Sequence, residues 1–387
     1  MAMRASLLIG TLLLAACAVR EQADFVEGPA PGTTWLPVLV ATTRAPDPNQ
    51  PIPGWDRSAE VSHGRYTVSI PLDREPGELP RPRGRTEAVP QEDFMLAEAQ
   101  PLGADEFVSA VRAGLNQQPP NEREAVIFVH GFNTTFVEGV YRTAQMTYDL
   151  RLPGVILHYS WPSLGAPLAY AHDRDSALFA RDGLVQMLRE VRAAGPRRII
   201  IVAHSMGSQL TMEALRQMAL SHDPTLGALG GVILISPDID VDLFRMQAEA
   251  IGTLPQPFLI ITSQRDRVLT LSARLSGEAR RLGNLSDARA VEGLDVTLID
   301  VSAFSVGAGH FTAASSPALL NLFAQIGAVN AAFQDERAGS LPLLPATILT
   351  LQNTTQVILQ PMTETGQRRL MPWRPRQAAQ PETQPAD

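Results

Sequence analysis

Lysine is missing from the 387-residue sequence, in which all 32 basic residues are arginine. Its absence excludes a Schiff-base lysine, a Ser–Lys catalytic dyad and a P-loop lysine. The sequence has a single cysteine, which excludes an internal disulfide and a cysteine-rich metal site. Acidic residues outnumber basic ones, the formal net charge is -8, and no block of basic residues occurs. This balance argues against a nucleic-acid partner, because nucleic-acid binding depends on basic patches.

The single cysteine, Cys17, ends an N-terminal segment typical of a secretory signal. Residues 1–4 carry one positive charge, residues 7–14 are apolar, and Leu14-Ala15-Ala16 comes directly before the cysteine. The apolar run is too short to span a bilayer. Leu-Ala-Ala-Cys resembles the lipobox of bacterial lipoproteins, which implies removal of residues 1–16 and acylation of Cys17. Because Ala18 is not the aspartate of inner-membrane retention, we expect a lipid anchor in the outer membrane, facing the periplasm.

The middle of the chain alternates predicted strands with predicted helices. Strands are expected over residues 125–129, 155–159, 198–203, 231–236, 258–262 and 296–301, and helices over 105–116, 136–150, 174–194, 205–221 and 316–333. Such alternation indicates βαβ units and a mainly parallel, doubly wound sheet flanked by helices. In sheets of this kind, functional residues gather at the carboxyl ends of the strands.

Segments on either side of this core complete the predicted organisation. Strands over residues 36–42 and 65–71 form an N-terminal extension, and residues 346–352 and 355–360 are predicted to form a β-hairpin appendage. We divide the chain into a signal peptide (1–16), a flexible tether (17–34), an α/β domain (35–335), the hairpin appendage (336–362) and a disordered tail (363–387).

Ser205 is the candidate nucleophile. Residues 198–203 are a β-branched run that leads into His204-Ser205-Met206-Gly207, and a helical pattern follows. A strand, sharp turn and helix with serine at the apex is the arrangement that exposes a catalytic hydroxyl at a sheet edge. The alternative is that Ser205 is an ordinary helix N-cap.

The order of residues along the chain restricts the partners of Ser205. In hydrolases with this turn, the acid and then the histidine follow the serine. Of the two downstream histidines, His222 is expected at a helix end, whereas His310 lies in a glycine-rich loop after the last core strand. We therefore assign His310 as the base. Asp266, just after the strand over 258–262, is the preferred acid, and Asp238 is the alternative.

The oxyanion hole is expected to combine two backbone N–H groups. One belongs to Met206, directly after the nucleophile, and the other to Phe132 in the loop His130-Gly131-Phe132-Asn133. Gly131 permits the unusual backbone that such a loop requires. We interpret His130 and His204 as structural. His172-Asp173-Arg174-Asp175 lacks the spacing of a metal site and is interpreted as a charged helix start, so we expect no metal and no cofactor.

Six motifs now appear in a fixed order. They are His-Gly-Phe-Asn, Ser-Trp-Pro-Ser, Ala-His-Ser-Met-Gly, Pro-Asp-Ile-Asp, Ser-Gln-Arg-Asp and Gly-His-Phe, with Thr42-Thr43-Arg44 ahead of them. This series resembles a bacterial α/β-hydrolase family of formerly unknown function within the esterase/lipase superfamily. The resemblance covers residues 38–322 and implies the α/β-hydrolase fold and a Ser205–Asp266–His310 triad. Ala203 replaces the first glycine of the usual Gly-x-Ser-x-Gly turn.

From these residues we expect a serine hydrolase that cleaves small-molecule or lipid carboxylic esters through an acyl-serine intermediate. A thioesterase or acyltransferase with the same triad is an alternative, and so is a catalytically silent lipoprotein that serves as a binding module. An apolar set of residues after the strand over 155–159 forms either an acyl pocket or part of the core. It comprises Trp161, Pro162, Leu164, Pro167, Leu168 and Tyr170.

Overall fold

The computed structural model describes residues 23–80, 82, 87–151, 154–276, 280–304, 346–351 and 354–359. Several predicted features lie outside these residues: the signal peptide over 1–16, the lipidation site Cys17, the base His310, the helix over 316–333 and the tail over 363–387. Among the helices that are described, none combines the length and the hydrophobicity needed to cross a bilayer.

The described residues form eleven strands and seven α-helices. The strands are β1 (Thr33–Pro46), β2 (Pro53–Pro71), β3 (Met95–Leu102), β4 (Glu124–Val129), β5 (Val155–Ser160), β6 (Arg198–His204), β7 (Leu229–Ile235), β8 (Phe258–Thr262), β9 (Val296–Asp300), β10 (Ala346–Leu351) and β11 (Thr354–Leu359). The helices are α1 (Ala104–Asn116), α2 (Phe136–Leu150), α3 (Tyr170–Phe179), α4 (Arg181–Ala194), α5 (Met206–Leu220), α6 (Val241–Ile251) and α7 (Arg267–Ser276).

All eleven strands belong to one sheet, in the order β10-β11-β9-β8-β7-β6-β4-β5-β1-β2-β3. Every neighbouring pair from β11 to β1 is parallel, whereas β1 with β2, β2 with β3 and β10 with β11 are antiparallel. The parallel sheet predicted from the strand–helix alternation is confirmed, and β6 lies near its middle. The carboxyl end of β6 is therefore flanked by those of β4 and β7.

Side chains of successive strand residues point to opposite faces of the sheet, and separate cores cover the two faces. In β1, Leu39 and Ala41 join the large cluster that contains residues of α1, α4, α5 and α6. Val38 and Val40 join a second cluster with residues of α2. Helices thus cover both faces, as the doubly wound class requires.

The C-terminal hairpin continues the main sheet. Strands β10 and β11 pair in antiparallel register, as predicted, and β11 then pairs in parallel with β9 from Thr354↔Val296 to Ile358↔Asp300. The Thr354 hydroxyl donates to the Val291 and Leu294 carbonyl oxygens, each at 2.9 Å. These contacts attach the hairpin to the edge of the core, a position that its local sequence does not indicate.

Several elements differ from the sequence prediction. The single helix expected over 174–194 is two helices, α3 and α4, that meet at Ala180. At this junction the Tyr159 hydroxyl donates to the Ala180 carbonyl oxygen at 2.6 Å, so a side chain from β5 fixes the junction. Strand β3 and helices α6 and α7 were not predicted. The first is an outer strand of the sheet, and the helices follow loops that carry other polar motifs.

Candidate active site

Ser205 lies in a sharp turn between the end of β6 and the start of α5. Its φ of 51° and ψ of -122° are unusual for a residue with a side chain, and such backbone strain costs on the order of 1–3 kcal/mol. The Ser205 N–H donates to the Ile235 carbonyl oxygen at 2.9 Å, and the Asp238 N–H donates to the Ser205 carbonyl oxygen at 3.2 Å. The neighbouring strand therefore holds the strained turn in place. The predicted strand, turn and helix are present, while the catalytic role of Ser205 stays a prediction.

Small residues on both sides of Ser205 allow the turn to pack closely. A Cβ atom at Gly207 would overlap the carbonyl oxygens of His130 and Val129, so only glycine fits at this position. Ala203, the departure from the usual motif, is fully buried in the main core. Its methyl group is accommodated without distortion of β6, which pairs with both neighbours through Ala203.

The loop after β4 lies directly against the nucleophile turn. A Cβ atom at Gly131 would be 2.6 Å from His204 Nδ1 and 2.9 Å from the Cβ atom of Ser205. The absence of a side chain at Gly131 is what lets this loop approach Ser205. Asn133, two residues later, has a φ of 54°. Met206 is the first residue of α5, so its N–H is among those that the helix leaves without an internal partner.

His130 joins the carboxyl ends of β4 and β5. Its Nδ1 lies 2.9 Å from the Gly131 carbonyl oxygen, and its Nε2 is 3.1 Å from the Trp161 backbone nitrogen. The Trp161 indole N–H donates back to the His130 carbonyl oxygen at 2.7 Å, and the two rings stack at 4.8 Å. Complete burial, with smaller contributions from His158 and Arg44, holds the pKa of His130 well below its usual value. Nε2 also lies 3.0 Å from the Trp161 carbonyl oxygen. A buried, neutral ring with backbone partners at both nitrogens agrees with the structural interpretation of His130.

The other histidines near the serine have different positions. His204 is 8% exposed and its ring faces the Gly131 loop. His222 follows the end of α5 with a φ of 52° and is exposed, far along the chain from the turn. His310, the predicted base, lies outside the described residues.

Asp266 follows β8 and begins α7. The side chain is fully buried, and its Oδ1 accepts from the Leu269 N–H at 3.0 Å, as an N-cap does. Its carbonyl oxygen accepts from the Thr270 hydroxyl at 2.9 Å and from the Asn284 amide at 3.2 Å. Backbone and carboxylate are thus both fixed at the carboxyl end of β8, two strands from Ser205.

Asp238, the alternative acid, lies after β7 and is 2% exposed. Its carboxylate accepts from the Ser272 hydroxyl at 2.6 Å and from the Tyr170 hydroxyl at 2.9 Å. It also forms an ion pair with Arg281 Nε at 3.1 Å. Two hydroxyl donors and one guanidinium, from three different segments, converge on this carboxylate, an arrangement that joins α3, α7 and the segment after α7.

The apolar residues after β5 divide into two groups. Trp161 and Pro162 are buried, and Trp161 is fully engaged with His130, so these belong to the core. Leu164, Pro167 and Leu168 are exposed on the loop that leads to α3, Leu168 at 93%, whereas Tyr170 is half-buried and packs against the main core. Among these apolar residues, the exposed ones are available to contact a substrate.

Asp173 has a role that the sequence interpretation missed. It was interpreted as part of a charged helix start, yet its side chain is fully buried. Its carboxylate accepts from the Ser163 hydroxyl at 2.6 Å, from the Leu164 N–H at 2.9 Å and from the Asn133 N–H at 3.3 Å. No local pattern signals this, because the partners lie 9 to 40 residues away along the chain. Within the described ranges, no three His, Cys, Asp or Glu side chains are grouped as metal ligands.

Comparison with known proteins identifies the family. The sequence model described as "Alpha/beta hydrolase of unknown function (DUF900)" matches residues 106–326, more than half of the chain. No curated protein matches the sequence. Among solved structures, the crystal structure of Aspergillus fumigatus lipase B is similar, with a TM-score of 0.36 and 18% sequence identity. The match covers 56% of this chain and spans 56% of that lipase. The match of residues 106–326 to the family model, together with the parallel sheet, establishes this protein as a member of the alpha/beta hydrolases of unknown function (DUF900).

Proposed function

We propose that this hydrolase cleaves carboxylic esters through an acyl-Ser205 intermediate. The observation that carries the proposal is the contact of the strained Ser205 turn with the Gly131 loop. The Cα atom of Gly131 lies so close to this turn that no side chain fits between the two. A nucleophile needs a donor pair close to the reacting carbonyl, and this packing brings two N–H-bearing segments to one serine. An ordinary helix N-cap does not require a φ of 51° or a glycine on the facing loop.

In the proposed reaction, the Ser205 hydroxyl oxygen attacks the ester carbonyl carbon while His310 takes the hydroxyl proton. The N–H groups of Phe132 and Met206 stabilise the negative charge on the carbonyl oxygen. The C–O bond to the alcohol then breaks, and His310 returns the proton to the leaving oxygen. Water attacks the acyl-serine by the same route, releasing the carboxylic acid and restoring Ser205.

We propose Asp266 as the acid that orients His310. Its position after β8 supports this, since His310 comes after the neighbouring strand β9 in the chain. The contacts of Asp238 support a different role for that residue. Its carboxylate is already bound by two hydroxyl groups and a guanidinium, whose joint effect is to tie three segments together.

A fluorophosphonate probe tests the proposed nucleophile directly. The folded wild-type protein is expected to be labelled once, at Ser205, and the Ser205→Ala variant is expected to remain unlabelled. A panel of p-nitrophenyl esters of increasing acyl length then defines the preferred substrate. A folded wild-type protein that reacts neither with the probe nor with any ester would refute the proposal.

We also propose that an acylated Cys17 tethers the enzyme to the bacterial outer membrane. The Leu-Ala-Ala-Cys segment supports this, together with the apolar residues 7–14 that precede it. A tether at this position would make the active site accessible to esters in the periplasm or at the membrane surface.

A further inference from the structure

We propose that Asp173 is a positioning residue that holds residues 131–135 against Ser205, acting in part through Ser163. This inference rests on the proposed function, because the loop it holds contains Phe132, the proposed oxyanion donor. Asp173 itself has no contact with the nucleophile among the interactions of the described residues. Its effect on the reaction is therefore exerted through the backbone of another segment.

The direct contacts of Asp173 reach two loops at once. One carboxylate oxygen, Oδ2, accepts the Ser163 hydroxyl at 2.6 Å and the Asn133 N–H at 3.3 Å. The other, Oδ1, accepts the Leu164 N–H at 2.9 Å and lies 3.3 Å from Nδ1 of the adjacent His172. Charge-assisted bonds to a buried carboxylate are stronger than neutral ones, and their loss leaves buried N–H groups unsatisfied. Asp173 therefore fixes the loop after β4 and the loop after β5 relative to α3.

Ser163 extends this contact by one residue along the Gly131 loop. Because its hydroxyl donates to Asp173, its oxygen is free to accept the Thr134 N–H at 3.1 Å and the Gly165 N–H at 3.3 Å. Asn133 and Thr134 are thus both bound on their N–H side, one directly by Asp173 and one through Ser163. These are the two residues that immediately follow Phe132.

A buried cation holds the same loop from its carbonyl side. Arg44, fully buried in β1, donates from Nη2 to the Thr134 carbonyl oxygen at 3.0 Å and from Nε to the Ser160 hydroxyl at 3.0 Å. The Thr134 N–H is thus linked through Ser163 to the Asp173 carboxylate, and the Thr134 carbonyl oxygen accepts from the Arg44 guanidinium. Opposite charges on the two sides define where the loop lies.

The backbone of the loop explains why such support is needed. Asn133 has a φ of 54°, a left-handed conformation that an unsupported loop residue leaves readily. Its N–H is the one that Asp173 accepts. After Thr134, the loop is fixed by the capping box of α2, in which Thr135 and Glu138 bond each other's backbone N–H. Asp173 supports the strained residue between Phe132 and this cap.

The test combines kinetics with hydrogen exchange in the full-length protein. The variants are Asp173→Asn and Ser163→Ala. The matched control is Asp175→Asn, which makes the same change at an exposed position of the same helix. We expect Asp173→Asn to lower kcat for a p-nitrophenyl ester about 100-fold, the order of loss caused by a displacement of about 1 Å. KM is expected to change less than about threefold, because the displaced donor acts mainly in the transition state.

Two further readouts separate positioning from a general structural role. Amides of residues 131–135 are expected to exchange faster in Asp173→Asn, while the amides of β6 and β7 remain as protected as in the wild type. The effects of Asp173→Asn and Ser163→Ala on kcat are expected to be less than additive in the double variant, because both break one network. The Asp175→Asn control is expected to match the wild type in kcat, in KM and in amide exchange.

The outcomes distinguish this inference from the proposed function. Unchanged exchange of residues 131–135 in Asp173→Asn would overturn the positioning role. Faster exchange with unchanged kcat would overturn its importance for the reaction. If the wild type is inactive and unlabelled by fluorophosphonate, the proposed function fails, yet the exchange comparison still decides whether Asp173 holds the loop. If Asp173→Asn does not fold, Ser163→Ala, which retains the carboxylate, decides the same question.

Discussion

Replacing Gly131 by alanine tests the contact on which the proposed active site depends. The added Cβ would lie 2.6 Å from His204 Nδ1, 2.9 Å from Ser205 Cβ and 3.1 Å from the His204 carbonyl oxygen. Two of these three atoms have positions set by the backbone of the nucleophile turn. A change of side-chain rotamer therefore cannot relieve the overlap, and the loop itself has to move away.

The size of the effect follows from these distances. Carbon atoms in contact prefer a separation of at least about 3.5 Å, so the loop must retreat from Ser205 by roughly 0.6 Å or more. The Phe132 N–H is adjacent to Gly131 and moves with it. Loss of one oxyanion donor costs about 3 kcal/mol of transition-state stabilisation, and misplacement by about 1 Å costs about 100-fold in rate. We expect Gly131→Ala to lower kcat/KM about 100-fold, with overpacking destabilising the fold by about 1–3 kcal/mol.

The assay is ester hydrolysis by Gly131→Ala, with thermal unfolding measured on the same samples. Gly227→Ala is the matched control, since no atom lies within 4 Å of the added Cβ there. This control is expected to keep wild-type activity and a Tm close to that of the wild type. A Gly131→Ala protein that folds and retains full kcat/KM would refute the assignment of this loop to the oxyanion hole.

Four other substitutions test separate parts of the structure. Asp266→Asn is expected to lower kcat by orders of magnitude with little change in KM. Asp238→Asn should mainly lower the Tm, because it weakens a buried ion pair. If steady-state kinetics and calorimetry show the reverse pattern, the two aspartates exchange roles. Burial lowers the pKa of His158 from 6.5 to about 3. As the pH drops below 6.5, His158 therefore takes up a proton in the unfolded chain before it does so in the folded protein, and the free energy of unfolding falls. The slope is up to about 1.4 kcal/mol per pH unit. His158→Asn should make that slope shallower in urea unfolding between pH 4 and 7, and equal slopes would contradict this reasoning. Cys17→Ser is expected to abolish palmitate incorporation and release the protein from the membrane fraction, and retention of the label would exclude Cys17 as its site.

The fold class followed from the sequence because its signals are local. The Ile199–Ile201 run and the other short apolar segments predict buried strands, and the helical periodicity between them predicts the crossovers. Parallel pairing then follows from the right-handed rule for such units. Strand β3 was missed because it has no comparable apolar run, and the split at Ala180 was missed because a hydroxyl from β5 determines it.

The candidate site was predictable only in part. The Ser205 turn is encoded by consecutive residues, and its strained geometry is present. The sequence predicts that the loop after β4 faces Ser205, but the close contact of Gly131 with that serine follows only from the pairing of β4 with β6. The sequence favours Asp266 over Asp238 only by its position after a strand, and the hydrogen-bond partners of the two carboxylates are visible only in the structure.

By itself, the sequence determined the α/β class and the strand, turn and helix at Ser205, because these depend on neighbouring residues. It also predicts the order of the candidate catalytic residues and a signal segment before Cys17. Tertiary structure alone decided how closely the Gly131 loop approaches Ser205 and which side chains hold the loop there. Asp173, Ser163 and Arg44 come from three separate segments, and their charges and hydrogen bonds act only once the sheet brings them together. Hydrogen bonds of this kind are set by distance in space, and separation along the chain does not reveal them.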